Sequence, residues 1–324
     1  MTPEVRHFSV SANGIRLHVA EQGQGPLVLF CHGWPELWSS WEHQLTAVAS
    51  AGFRAVAPDM RGYGRSDAPE AIGAYTILHL VGDMVSLVAA LDEREAIIVG
   101  HDWGAIVAWH AALLRPDIFR AIVAMSAPLK PRGPMPPLQA LRQAGIDDHY
   151  RFYFQTPGVA EAEFERDIPA TMRRIFYSGS GDAPRGRIWT LTVSPGEGYL
   201  DHTIDPDHLP PWLKDADLAN TVAEYQRTGF RGGLNWYRNI DYNWELLAPW
   251  QNAMIHQPAL FIGGTRDPAV RGVMGGAQAL NNLSRTVPGI KRTVLVKGAG
   301  HWVQHEYPIE VNSILLQFLH ELQP

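Results

Sequence analysis

The sequence is short of every feature that would take it out of the ordinary globular class. It holds a single cysteine, Cys31, so an internal disulfide is impossible, and a reducing, cytoplasmic setting is expected. Cys31 closes the apolar run Leu27-Val28-Leu29-Phe30 and reads as a packed, inert thiol. No stretch approaches the roughly 20 apolar residues of a membrane span, and Met1 to Phe8 carries no apolar signal core, so no membrane partner is expected. Positive charge is not in excess: 27 Lys and Arg against 33 Asp and Glu leave a formal charge of −6, which supplies no footprint for nucleic acid. Internal repeats, low-complexity tracts and metal-finger spacings are missing, and Gly263-Gly264, Gly275-Gly276 and Gly62-Tyr63-Gly64 make neither a phosphate loop nor a dinucleotide fingerprint. The remaining class of partner is a small molecule.

With 324 residues, 46% of them hydrophobic, the chain is long enough for one large core carrying an insertion. Short β-like runs at 5–10, 15–20, 27–31, 53–58, 96–100 and 121–125 alternate in part with helix-length segments at 39–49, 78–91 and 105–114. That alternation builds a parallel sheet, and Asn13-Gly14 predicts an antiparallel hairpin at its edge. Lys130-Pro131-Arg132-Gly133-Pro134-Met135-Pro136-Pro137 then breaks regular structure. Beyond it the segments are helical or irregular until strand-like runs return at 259–262 and 293–296, followed by a terminal helix at 309–322. The expected organisation is an α/β core in two parts, 1–128 and 243–324, interrupted by a helical cap at 129–242.

The strongest local signal is Val99-Gly100-His101-Asp102-Trp103-Gly104-Ala105, an apolar strand running into Gly-x-Asp-x-Gly and a helical pattern. A sharp strand-to-helix turn that exposes a nucleophile needs small residues two before and two after it. Here the exposed residue is Asp102. A carboxylate, ionised at neutral pH, suits displacement at saturated carbon to give an alkyl ester, which water must then hydrolyse. That second step needs an oxyanion hole and an oriented base. His32-Gly33-Trp34-Pro35 follows the strand-like run 27–31, and the backbone N–H groups of Trp34 and Trp103 are the expected oxyanion donors. His301, after the last strand-like run, is the expected base, and His7, His18 and His320 fall on edges or the terminal helix. Asp267, in Gly263-Gly264-Thr265-Arg266-Asp267-Pro268, would orient it. The other place for that acid, Ser126-Ala127-Pro128-Leu129, holds no carboxylate.

On these residues the chain resembles the soluble epoxide hydrolases of the α/β-hydrolase fold along nearly its whole length, and more distantly the haloalkane dehalogenases. His32-Gly33-Trp34-Pro35-Glu36, Asp59-Met60-Arg61-Gly62-Tyr63-Gly64-Arg65-Ser66 and Gly100-His101-Asp102-Trp103-Gly104 are shared by both groups. The resemblance implies a mostly parallel eight-stranded sheet flanked by helices, with the cap inserted. Within the cap, Tyr153-Phe154-Gln155-Thr156-Pro157-Gly158 and Asn235-Trp236-Tyr237-Arg238-Asn239 resemble epoxide hydrolase motifs, each of which supplies a tyrosine to the epoxide oxygen. The resemblance assigns those roles to Tyr153 and Tyr237, leaving Tyr150 and Tyr177 to lid packing. A phenol, protonated at neutral pH, can donate to the alkoxide that ring opening leaves.

The activity implied is conversion of an apolar epoxide and water to a vicinal diol, with no cofactor and no metal, in a monomer or homodimer. Trp34, Trp103 and Trp302 are expected to line the substrate pocket. Dehalogenation is the alternative, although no Asn follows His32-Gly33 and Trp103 stands where fluoroacetate dehalogenases carry Arg. A non-catalytic ligand receptor is the third reading, disfavoured by the intact Asp102, Asp267 and His301. Asp201-His202 and Asp205-Pro206-Asp207-His208 mimic metal ligands but read as solvated loop, and Glu36 and Asp59 as local turn formers.

Overall fold

The structure is a computed structural model, and it describes residues 4–184, 192–271 and 276–322. Eight strands are present among them: β1 (Arg6–Ala12), β2 (Ile15–Gln22), β3 (Leu27–Cys31), β4 (Arg54–Pro58), β5 (Ala96–His101), β6 (Phe119–Met125), β7 (Ala259–Gly264) and β8 (Ile290–Val296). They form one sheet in the order β1-β2-β4-β3-β5-β6-β7-β8. β1 and β2 pair antiparallel, as do β2 and β4, and every other pairing is parallel. The hairpin between β1 and β2 turns on Asn13 (φ 48°) and Gly14 (φ 77°), both left-handed, which is the backbone that Asn-Gly tolerates best.

Alternation in β3 explains the two-sided burial. Leu27, Leu29 and Cys31 join one hydrophobic cluster and Val28 and Phe30 the other, so both faces of the strand are covered. On the first face lie α2 (Ile77–Ala90) and α3 (Trp103–Leu114); on the second lie α1 (Glu42–Ser50) and α15 (Pro308–Glu321). Cys31 is fully buried, and burial pushes its thiol well above the usual range, consistent with an inert packing residue.

Between β6 and β7 the described chain runs through seven α-helices: α4 (Pro137–Gln143), α5 (Tyr150–Tyr153), α6 (Val159–Phe164), α7 (Ile168–Gly179), α8 (Asp215–Thr228), α9 (Arg231–Arg238) and α10 (Ile240–Leu246). After β7 come α11 (Pro268–Arg271), α12 (Gly276–Asn281) and α13 (Leu283–Thr286), and after β8 comes α14 (Val303–Glu306). Gly275 of the Gly275-Gly276 pair lies outside the described residues. Among the described residues no helix is long and apolar enough to cross a membrane.

Candidate active site

Four loops leave the carboxyl ends of parallel strands and meet over the middle of the sheet, where open α/β sheets hold their ligands. β5 delivers Asp102 in a left-handed conformation, φ 52° and ψ −118°, directly before α3. The flanking glycines are obligatory for steric reasons. A Cβ on Gly100 would overlap the Gly104 carbonyl, and one on Gly104 would overlap the Cys31 carbonyl at the end of β3. Gly33 is equally confined, since a Cβ there would lie 2.5 Å from the Asp102 Cβ.

The Asp102 carboxylate is held from two sides. Trp34 N–H donates to Oδ1 at 3.0 Å, and His301 Nε2 lies 3.6 Å from Oδ2. Trp103 opens α3, so its N–H has no partner within the helix. Burial alone would raise the Asp102 carboxyl, but the hydrogen bond and charge of His301, the charge of His101 and the Trp34 N–H hold it below its usual range.

His301 is buried, with Nδ1 3.1 Å from Asp267 Oδ1. Burial opposes its protonation, yet Asp267 and Asp102 on either side push its pKa well above the ordinary imidazole value. Asp267 is itself fully buried, and its Oδ1 also accepts the Ala269 N–H at 2.8 Å. Asp102, His301 and Asp267 are therefore brought together as the sequence predicts.

Behind them lies a layer that the sequence did not disclose. His101 sits with Nδ1 2.7 Å from Glu36 Oε2 and Nε2 2.8 Å from the His301 carbonyl. Glu36 in turn accepts from Gly33 N–H at 2.8 Å and from Gln304 Nε2 at 2.8 Å. Although burial pushes the other way, His101 and His305 keep the Glu36 carboxyl down at about 2. Glu36 thus does more than close a turn: it ties the Gly33 backbone to His101, the residue before Asp102. Asp59 does behave as the expected local acceptor, taking N–H bonds from Trp38 at 3.1 Å and Arg65 at 3.0 Å and pairing with His18 at 2.8 Å.

A cavity of ≈ 170 Å³ opens over Asp102, and its lining includes Trp103, Tyr150 and Tyr237. A second, of ≈ 230 Å³, shares Trp103, Ile106, His110, Lys130 and Arg151 with it and runs out towards α10. Tyr237 is buried, its ring 5.1 Å from that of Trp103, and burial together with the charges around it raises its phenol well above the usual value. Tyr153 is not in this cleft. Its hydroxyl donates to Glu163 Oε2 at 2.8 Å, on the far side of α5, where it lines a different hollow. The tyrosine that shares the cavity with Tyr237 is Tyr150, ring to ring at 5.9 Å, so the two residues trade the places expected of them. Both stand on α5 three residues apart, and nothing in the local pattern says which faces Asp102.

Two of the three tryptophans expected in the pocket also lie elsewhere. Trp103 lines it, whereas Trp34 packs among Phe154, Phe164 and Tyr199, with its ring edge-on to Tyr237 at 5.9 Å. Trp302 is fully buried against Phe176 and donates its indole N–H to the Phe176 carbonyl at 2.7 Å. An indole whose N–H is satisfied by backbone and whose faces are packed is core. Tyr177, at the C-terminal end of α7, is not part of the cavity lining either, in keeping with a packing role. Among the acidic and histidine residues around 201–208, Asp205 pairs with Arg173, His202 pairs with Glu197, and Asp201 Oδ2 accepts the Gly198 N–H at 2.8 Å. Among the described residues no group of three or more His, Cys, Asp or Glu could hold a metal.

Comparison with known proteins agrees with this geometry. Residues 26–308 match the alpha/beta hydrolase fold family. The chain is 43% identical to epoxide hydrolase A of Mycobacterium tuberculosis over 97% of both chains. It is 39% identical to epoxide hydrolase 3 of Siraitia grosvenorii over 98% of this chain and 99% of the relative. Among solved structures, an epoxide hydrolase from an endophytic Streptomyces superposes with a TM-score of 0.94 at 45% identity, covering 98% of this chain and 96% of that one. Epoxide hydrolase A from Mycobacterium thermoresistibile gives 0.93 at 42% identity over 99% of both. With the elbow, His301, Asp267 and the cleft in place, the chain belongs to the α/β-hydrolase fold family and, within it, to the epoxide hydrolases.

Proposed function

We propose that the chain adds water to an apolar epoxide to give a vicinal diol, in two steps and through a covalent ester on Asp102. In the first, Asp102 Oδ2 attacks a ring carbon, the carbon–oxygen bond breaks, and Tyr150 or Tyr237 protonates the departing oxygen. Oδ1, already bonded to the Trp34 N–H, becomes the ester carbonyl. In the second, His301, oriented by Asp267, takes a proton from water as its oxygen attacks Cγ of Asp102. The Trp34 and Trp103 N–H groups receive the developing oxyanion; on collapse the bond from Cγ to the product oxygen breaks, that oxygen takes the proton of the new Cγ hydroxyl, and the diol leaves the restored Asp102 carboxylate.

The observation that carries this reading is a cavity over Asp102 lined by both Tyr150 and Tyr237. A departing halide needs no proton, whereas an alkoxide does, and two phenols in an otherwise largely apolar cleft fit the second case. Residues 129–242 act as the cap domain in this scheme, and 1–128 with 243–324 as the core. The cytoplasmic setting rests on the lone cysteine, and the working unit is a monomer or homodimer. The chemistry calls for no cofactor or metal ion.

Replacing His301 by Gln keeps the nucleophile and removes the base. Intact mass after addition of a styrene-oxide-like epoxide is expected to rise by one substrate, with the adduct mapping to Asp102. A folded His301→Gln protein that gains no mass under conditions where the wild type forms diol would sink the scheme.

A further inference from the structure

The loop that carries His301 is built against the end of α7 with no room to spare. A Cβ on Gly300 would overlap the backbone of Ser180 and Gly181, and one on Gly181 would overlap the Gly298 carbonyl. His301 N–H donates to the Gly179 carbonyl at 2.7 Å, and the Arg266 guanidinium caps the Gly181 carbonyl. Into this seam projects one carboxylate that the reaction does not use. Glu306 Oε2 accepts from Gly181 N–H at 2.7 Å and Gly300 N–H at 2.9 Å, while Oε1 accepts from Trp302 N–H at 3.1 Å.

We propose that Glu306 is a positioning residue for the hydrolytic half of the reaction: by gripping the backbone on both sides of His301 and that of Gly181, it sets the imidazole against the ester carbon. Burial pushes the Glu306 carboxyl up to about 7 while the three N–H donors pull it down, and only the ionised form, an acceptor with no hydrogens of its own, can satisfy that set in full. A glutamine of the same length fails whichever way its amide turns, because its NH₂ must face either the Trp302 N–H or the Gly181 and Gly300 pair. The loop is then expected to relax by a fraction of an ångström, and a displacement of about 1 Å between reacting groups costs on the order of 10²-fold.

The inference rests on the two-step reading above, and it predicts an asymmetry between the steps. Attack by Asp102 on the epoxide does not involve His301 as base, so Glu306→Gln is expected to leave kcat/KM within about twofold of wild type. Ester hydrolysis is expected to slow by roughly 10- to 100-fold, so kcat and KM fall together and the adduct builds up during turnover. Glu306→Asp, which keeps the charge but withdraws it by one methylene, is expected to fall between the two. His301→Gln is the control, with diol formation, intact mass and thermal unfolding followed on all four proteins. If His301→Gln traps no adduct, the two-step reading fails first. If it does trap one while Glu306→Gln hydrolyses at the wild-type rate, or loses kcat and kcat/KM in equal measure, the positioning role is wrong. Failure of both Glu306 variants to fold would make the residue a general structural one and would equally overturn the assignment.

Discussion

The exchange of roles between Tyr150 and Tyr153 gives the sharpest test of the site. In Tyr150→Phe the cleft loses one of its two phenols and little else, since the ring contacts to Phe154 and Tyr237 survive. A hydrogen bond to a charged partner is worth about 1.5–3 kcal/mol, so loss of one donor to the developing alkoxide corresponds to roughly 10- to 150-fold in the alkylation step. Tyr237→Phe is expected to cost a similar amount, and the double variant to abolish measurable turnover. Tyr153→Phe removes only the bond to Glu163, whose carboxylate keeps the Tyr199 N–H at 3.0 Å and the Leu200 N–H at 2.9 Å. That change is expected to lower stability by about 0.5–1.5 kcal/mol and to leave kcat/KM within about twofold. Initial rates of diol formation and thermal unfolding on the four proteins read both quantities. A Tyr153→Phe enzyme as crippled as Tyr150→Phe, with its unfolding temperature unchanged, would refute the geometry.

Asp267→Asn leaves His301 facing an amide where a buried carboxylate stood 3.1 Å from Nδ1, and ester hydrolysis is expected to slow by about 10²- to 10⁴-fold, seen as adduct accumulation with the burst retained. Glu36 bears on acid stability: its folded pKa of about 2 lies below the ordinary 4.5, so its contribution is present above the unfolded value and is lost as pH falls from 4.5 towards 2. Glu36→Gln should flatten that stretch of a stability-against-pH curve measured by urea unfolding, and an acid limb identical to wild type would show that the His101 pair is not stabilising.

Legibility followed physical context. β3 appears at residues 27–31 as predicted because a strand buried on both faces has an uninterrupted apolar run. β8 begins three residues before its predicted 293–296, since exposed Lys291 and half-buried Arg292 blur the pattern of an edge strand. Residues 39–49 read as one helix, yet Trp38–Trp41 is a 3₁₀ turn and α1 begins only at Glu42. The elbow, Asp267 and His301 were legible because backbone sterics and strand order dictate them. Tyr150 was not: in a four-residue helix, which of two tyrosines faces the nucleophile depends on how the cap seats on the core, and that is a tertiary fact. Glu36 and Glu306 escaped for a related reason, because their partners lie on other segments of the chain, His101 for one and Gly181 for the other.

The charge inventory of the site supplies its own timing in this scheme. At rest His301 has a carboxylate on each side, Asp267 at 3.1 Å and Asp102 at 3.6 Å, and both favour its protonated form against the cost of burial. A protonated imidazole cannot take a proton from water, so the resting enzyme holds a nucleophile and a dormant base. Alkylation turns Asp102 into a neutral ester, which deletes one of the two anionic partners while the desolvation cost remains. The pKa of His301 then falls, and the proton it sheds balances the one a tyrosine has given to the ring oxygen. The neutral imidazole that results is the base the second step requires. Hydrolysis regenerates the Asp102 carboxylate and returns a proton to His301, so the cycle closes with one water consumed and one diol formed. Replacing Asp102 by Asn mimics the charge of the ester and tests the point: the pKa of His301, followed by NMR, is expected to drop. An unchanged His301 titration in that variant would mean that Asp267 alone holds the proton and that the two steps are not coupled through charge.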